Sequence, residues 1–310
     1  MDPEFYKNKK ILITGGGGFL GKSLINNLIS IRKVDKKNII IPRSRDIDLR
    51  KEENCKKVVK DVDVVIHLAA NAGGIGYNLK NPGTLFYDNL SMGLHLIEES
   101  RKAGVKKFVA IGTVCAYPKF SPIPFKEENL WNGYPEETNA PYGLAKKMLL
   151  VQSQAYRSQF GFNAIYLLPV NLYGENDSYN LETSHVMPAL LKKFKEAVWL
   201  NLNSVDVWGS GLQRREFMHV DDMADACLFC MLNYNDISPI NIGTGEEVSI
   251  KELAELIKEI SGFKGELKFD TTMPEGIMSK MLDVSKLHGL GWSHKISLRE
   301  GIERTYKELK

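Results

Sequence analysis

The sequence predicts an α/β protein in which a doubly wound parallel sheet is followed by a smaller mixed lobe. Three observations carry that prediction. Short apolar runs alternate with helix-patterned stretches through the first half of the chain. A glycine-rich loop stands between the first apolar run and the first helical stretch. The last third turns to helices and loops whose starts carry capping patterns.

The elements follow in order. Met1-Asp2-Pro3-Glu4-Phe5 shows no periodicity and is expected to lie outside the fold. Lys10 to Thr14 (KILIT) reads as the first strand, and Leu20, Leu24, Ile25 and Leu28 then recur at helical spacing. Asn38 to Ile41, Asp63 to Leu68, Lys107 to Ile111 and Ala164 to Leu168 read as further strands, with a helical stretch from Leu90 to Ala103. Near-continuous apolar strands of this kind belong to a parallel sheet covered on both faces. Ser249-Ile250-Lys251-Glu252 is a capping-box pattern before Leu253, Leu256, Ile257 and Ile260, and Gly262 is placed to end that helix. Ser297-Leu298-Arg299-Glu300 repeats the pattern before Ile302, Tyr306 and Leu309. The expected organisation is a dinucleotide-binding domain over 6–175 and a substrate lobe over 176–310, with the chain crossing between them more than once.

Composition narrows the function classes. The chain has 310 residues, 43% hydrophobic and 25% charged, which suits one sizeable globular core rather than disorder. A net charge of +3 makes no case for nucleic acid or a membrane surface as partner. No apolar run is long enough to span a bilayer. Four cysteines in a long chain without a leader pattern point to a reducing, cytoplasmic setting. Cys227 and Cys230 have C-x-x-C spacing, but no second pair accompanies them. Core packing is the better reading, and no metal is expected.

Thr14-Gly15-Gly16-Gly17-Gly18-Phe19-Leu20-Gly21 follows the first strand and opens the first helix. Gly15, Gly18 and Gly21 allow a tight turn and close backbone approach to a pyrophosphate, while the helix start offers free N–H groups. Placed between strand and helix, this is the dinucleotide signature of a Rossmann-type sheet. Phe19 and Leu20 belong to the same loop. Ala69 and Ala70 end the third strand as small residues able to lie under an adenosine. Arg43 and Arg45 after the second strand favour the 2′-phosphate of NADP over NAD, an inference that Asp46 weakens.

Tyr142-Gly143-Leu144-Ala145-Lys146 is Y-x-x-x-K, which puts both functional side chains on one helix face. An ammonium one turn away is expected to lower the phenol pKa, so that Tyr142 can hand a proton to a carbonyl oxygen as hydride arrives at carbon. Thr113, at the end of a buried strand, can hydrogen-bond the same oxygen. His67 reads as a packed histidine. Asp221 and Asp222 read as caps of the following helix.

TGGGGFLG, HLAA, Thr113, Tyr142 and Lys146 together resemble the extended short-chain dehydrogenase/reductases. Asn71-Ala72-Gly73-Gly74-Ile75, Gly112 to Pro118, Asn139 to Tyr142, Pro169 to Gly174, Ser184 to Leu191, Val207 to Gly211 and Arg215 to Met223 are similar to the GDP-L-fucose synthase family. The resemblance covers the chain from about Lys9. It implies NADPH-dependent reduction of the C4 ketone of a GDP-4-keto-6-deoxy-hexose, with 3,5-epimerisation. It also implies Thr113, Tyr142 and Lys146 as the reductase set and Cys115 and His185 as the epimerisation pair. Lys146 would also hold the nicotinamide ribose. Asn171, His185, Lys193, Trp208, Arg215 and Lys280 would contact the GDP-sugar. A homodimer through the helix bundle containing Tyr142 is the family expectation. Three departures stand out: Gly17 where a basic side chain occurs, Thr113 for serine, and the segment Pro274 to Lys280 in place of a more basic one. The last bears on which sugar is bound.

The sequence also accommodates three other readings. One is C4 reduction of a GDP-4-keto-6-deoxy-heptose in surface-polysaccharide synthesis, with Cys115 and His185 idle. Another is a sugar 4-epimerase or dehydratase that retains its NAD. The third is a dinucleotide sensor without catalysis.

Overall fold

Strand β1 (Ile11–Thr14) is buried along its whole length, as a strand covered by helices on both faces must be. The large sheet grows from it through β2 (Ile39–Ile40), β3 (Val64–His67), β4 (Lys107–Ile111) and β5 (Ala164–Pro169). The chain then leaves for β6 (Asn171–Tyr173), β7 (Ser204–Trp208) and β8 (Arg214–His219). It returns with β9 (Ile240–Ile242) and finishes with β10 (Glu247–Ser249), β11 (Glu266–Asp270) and β12 (Ser279–Lys280). The computed structural model describes residues 3–180, 184–273 and 276–309. Met1, Asp2, Pro274 and Glu275, named in the sequence reading, lie outside the described residues.

The large sheet has the order β2-β1-β3-β4-β5-β9, and every pairing in it is parallel. The order reverses between β1 and β3. Such a switch point leaves a crevice at the carboxyl ends of the strands, where a ligand can sit. The second sheet centres on β8, which pairs antiparallel with β10 and parallel with β12 and β6. Strands β7 and β11 form a separate parallel pair.

The hydrophobic interior is divided into two clusters. One packs the large sheet, and it includes Met223, Leu228, Ile240, Ile242, Leu282 and Trp292 from late in the chain. The other joins Leu190, Phe194, Val207, Leu253, Ile257 and Ile302 in the smaller lobe.

Several boundaries differ from the sequence reading. The helix expected from Leu90 begins at Pro82 and runs to Lys102. Its first turns carry buried polar residues, Asp88 and Asn89, that break the apolar pattern. Residues Pro3–Tyr6 form a short helix, and Phe5 packs against the main cluster beside the buried Tyr6, so the opening segment is partly built into the fold. Asp221 and Asp222 are not the caps. The His219 side chain caps the helix Val220–Asn233 by accepting from the Asp221 N–H. Asp221 accepts from the Ser23 hydroxyl at 2.7 Å, and Asp222 accepts from the backbone of Lys295 and Ile296. Both expected caps at Ser249 and Ser297 accept the predicted N–H, with a complete capping box at Ser249. Cys227 and Cys230 are buried thiols.

Candidate active site

The glycine loop turns sharply at Gly15, whose φ is +70°. A Cβ there would lie 2.7 Å from the Ala69 backbone nitrogen, so the loop sits directly against the end of β3. Gly18 starts the helix Phe19–Asn26 with no side-chain cap, leaving its first N–H groups to a ligand. Gly21 packs on the Gly15 carbonyl, with no room for a side chain. Beneath the loop, the Thr14 hydroxyl lies 2.8 Å from His67 Nδ1 and accepts from the Ala69 N–H at 3.2 Å. Burial lowers the His67 pKa to about 3, which keeps the ring neutral.

The two arginines after β2 part company. A Cβ on Gly17 would collide with the Arg43 guanidinium, so Arg43 fills the space that Gly17 leaves empty. Arg45 instead turns to Asp46, 3.2 Å from Nε to the carboxylate, with both side chains well exposed. The surroundings fit a phosphate-bearing dinucleotide. The uncapped helix start offers backbone donors, glycines let the chain approach closely, and the exposed Arg43 guanidinium lies over Gly17.

Thr113 ends the β4 segment and caps the short 3-10 turn Val114–Ala116, its Oγ1 accepting from the Cys115 N–H at 3.2 Å. The hydroxyl proton remains for another acceptor. This turn rests on the helix Ala140–Phe160 at Gly143, where a Cβ would lie 2.5 Å from the Cys115 carbonyl oxygen. The missing side chain at Gly143 therefore brings Cys115 to the residue beside Tyr142. Lys146 is 2% exposed, and burial lowers its pKa to about 8. The Tyr142 phenol differs from the expectation: burial, with the Cys115 sulfur adding to it, pushes its pKa above the ordinary value rather than below. Desolvation of the phenolate sets this direction.

The smaller lobe closes the other side. Pairing of β12 with β8 sets Lys280 opposite Arg215. Lys280 Nζ lies 4.0 Å from Cys115 Sγ. His185 occupies the N-cap position of the helix Val186–Trp199, and its side chain makes no capping hydrogen bond there. Its ring is open to solvent yet surrounded by protein, as a group lining a concavity is. Burial and the Lys280 charge both lower its pKa, favouring the neutral imidazole. Arg215 donates to the carbonyls of Arg214 at 2.7 Å and Met278 at 3.4 Å, and burial lowers its pKa too. Thr113, Cys115, Tyr142 and Lys146 from one lobe thus gather with His185, Arg215 and Lys280 from the other. Lys193 and Trp208 form a separate pair: Lys193 Nζ donates to the Asp206 carbonyl at 2.7 Å and lies 5.6 Å from the Trp208 ring centre. One N–H of the Asn171 amide is taken by the Glu216 carbonyl at 3.0 Å, leaving its second N–H and its oxygen for a ligand.

A cleft of about 600 Å³ opens beside this group, between Phe120 and Ile123 on one wall and Gly276 to Ser279 on the other. Glu136 lines it. Burial raises the Glu136 pKa, but hydrogen bonds from Thr138 and Asn139 and the Lys280 charge bring it below the usual carboxylate range. Neither Glu136 nor Glu216 stands out in the sequence as a site residue. Glu136 stands six residues before Tyr142, a spacing that could have drawn attention. Glu216 had no signal beyond its place beside Arg215.

Residues 11–243 match the NAD dependent epimerase/dehydratase family. The chain belongs to that family. GDP-L-fucose synthase 1 of Arabidopsis thaliana is 41% identical over 303 residues, covering 97% of this chain and 93% of the relative, which places the chain in the GDP-L-fucose synthase family. A GDP-6-OMe-4-keto-L-xylo-heptose reductase from C. jejuni superposes with a TM-score of 0.90 at 33% identity, covering 99% of this chain and 98% of that one. MlghC, a GDP-mannoheptose C4 reductase from Campylobacter jejuni with NADP bound, superposes with a TM-score of 0.86 at 33% identity, covering 97% and 98%. No helix among the described residues is long and apolar enough to cross a membrane.

Proposed function

We propose that the protein reduces the C4 ketone of a GDP-4-keto-6-deoxy-hexose with NADPH and epimerises C3 and C5 at the same centre. The observation that carries this is the meeting of Tyr142, Lys146 and Thr113 with Cys115, Lys280 and His185 across the two lobes. The GDP-L-fucose synthase relative and the NADP-bound reductase support the substrate class and the cofactor. NADPH, when bound, supplies the hydride for C4. Gly15, Gly18, Phe19, Leu20, Gly21, Ala69 and Ala70 would hold its pyrophosphate and adenosine half, and Arg43 would meet its 2′-phosphate.

The raised pKa keeps Tyr142 protonated at neutral pH, so it is loaded as the acid that gives its proton to O4. The buried Lys146 ammonium stabilises the phenolate left behind. For epimerisation, the protons on C3 and C5 are acidified by the adjacent ketone. Removing either leaves an enolate whose oxygen Thr113 and Tyr142 can stabilise. A base takes the proton on one face and an acid returns one on the other. We assign these roles to the neutral imidazole of His185 and the sulfur of Cys115. Arg215 and Lys280 would neutralise the diphosphate, with Lys193 and Trp208 toward the nucleotide end.

The second reading is C4 reduction of a GDP-4-keto-6-deoxy-heptose, with Cys115 and His185 idle. The cleft favours it, because Gly276 to Ser279 of the departing segment form one of its walls and the first heptose reductase shares the fold so closely.

The test follows NADPH consumption with GDP-4-keto-6-deoxy-D-mannose in deuterated water, with the product read by NMR. A fucosyl product carrying deuterium at C3 and C5 establishes both activities, and Tyr142→Phe is expected to lower turnover at least about a hundredfold. Reduction without deuterium at those carbons makes Cys115 and His185 bystanders. No reduction of this hexose, with turnover of the heptose, selects the second reading.

A further inference from the structure

We propose that Glu216 is a positioning residue that holds Lys280 and Arg215 against the Cys115 end of the site. Glu216 is completely buried in β8. One carboxylate oxygen accepts from the backbone N–H groups of Thr244 at 2.5 Å and Gly245 at 2.8 Å, and from the Thr244 hydroxyl at 3.3 Å. The other accepts from the Leu282 N–H at 2.7 Å. No lysine or arginine pairs with it among the described residues. A buried carboxylate without a cation is costly unless donors surround it. Burial raises its pKa to about 7, while the N–H groups of Leu282, Gly245 and Thr244 pull the other way.

The geometry shows what the carboxylate ties together. Its neighbour Arg215 is the register partner of Lys280. Strand β12 is only two residues long, so its pairing with β8 is a slight anchorage. Leu282 lies two residues past Lys280, and its N–H is held by the Glu216 carboxylate. Glu216 thereby extends the attachment of β12 to β8 and fixes the backbone from which Lys280 reaches Cys115 Sγ at 4.0 Å. Gly243 keeps the space open, since a Cβ there would strike the carboxylate oxygen that accepts from Thr244 and Gly245.

The positioning role is tested with Glu216→Gln. An amide must turn its NH2 toward either Leu282 or the Thr244–Gly245 pair, setting donor against donor and opening one arm. The first readout is the rate at which iodoacetamide alkylates Cys115, which needs no substrate. Cys55, Cys227 and Cys230 are buried, so Cys115 is the accessible thiol. Lys280 Nζ stands 4.0 Å from this sulfur, so moving the ammonium changes the setting in which the sulfur is alkylated. The variant is expected to alkylate about threefold to tenfold more slowly near neutral pH, and Lys280→Met is expected to do the same. The double variant should be no slower than either single one, because both act through one ammonium. KM for the GDP-sugar should rise while the Kd of NADPH stays unchanged.

An unchanged alkylation rate would overturn the positioning role. So would an equal slowing in the Lys280→Met background, or a parallel loss of NADPH binding. If Glu216→Gln does not fold, Gly243→Ala displaces the carboxylate without removing it and carries the same readouts. The kinetic arm rests on the proposed function. Failure to turn over any GDP-sugar would sink that function, whereas the alkylation result decides Glu216 alone.

Discussion

At the residue scale, burial sets charge state, and charge state sets chemistry. Lys146 keeps its proton only below about pH 8, because its surroundings disfavour the ammonium. The reductase kcat/KM is therefore expected to fall as pH rises through about 8, since that ratio reports the free enzyme. Lys146→Arg should lose this alkaline limb while lowering the absolute rate, because a guanidinium stays charged. A pH–rate profile of both proteins checks it. The stability effect has the opposite slope. The folded pKa lies below the ordinary value of 10.5, so the cost of the buried ammonium is present below about pH 8 and fades as pH rises toward 10.5. Arg43 and Arg45 were equally eligible in the sequence for the NADP phosphate. Only the fold separated them, laying Arg43 over Gly17 and turning Arg45 to Asp46. Arg43→Ala is expected to weaken NADPH binding about tenfold or more and leave NADH binding nearly unchanged. Titration of the two dinucleotides separates these outcomes.

At the element scale, local signals were legible wherever one stretch of chain carried them. The apolar strands from β1 to β5 stand out by composition. The helix Ile250–Ser261 announces itself by its cap, its periodicity and the left-handed Gly262 at its end. Ser249→Ala removes one half of the capping box. It is expected to cost about 1 kcal/mol and lower the melting temperature by about 2 °C, as read by calorimetry. The early turns of the helix Pro82–Lys102 were not legible for a definite reason. Asp88 takes Arg50 and Asn71, and Asn89 takes the Asn71 backbone, so polar residues occupy buried positions that a hydrophobic pattern assigns to solvent. The Thr113 turn is similar. A threonine cap is readable, but its seat on Gly143 is a contact between distant segments.

At the scale of the whole molecule, the helices Pro82–Lys102 and Ala140–Phe160 pack on each other, with Gly93 accommodating the Leu149 side chain. Their outer faces leave Phe86, Tyr87, Leu94 and Val151 exposed. A second copy of the chain is the proposed cover for this surface, in keeping with the expected homodimer. Sedimentation should give twice the chain mass. Charged residues at Tyr87 and Val151 should shift it to the monomer without unfolding, and an unshifted dimer would place the interface elsewhere. The sequence alone determined the alternation of strands and helices, the phosphate loop, and the pairing of Tyr142 with Lys146, because each depends on spacing within one or two neighbouring elements. The tertiary structure alone decided that Lys280 reaches Cys115, that Arg43 covers Gly17, and that Glu216 ties β8 to the segment after β12. Those contacts join residues far apart in the chain, where sheet register and close packing choose the partner. The same packing decides desolvation, which is why Tyr142 is raised and Lys146 lowered when spacing by itself suggested an activated phenol.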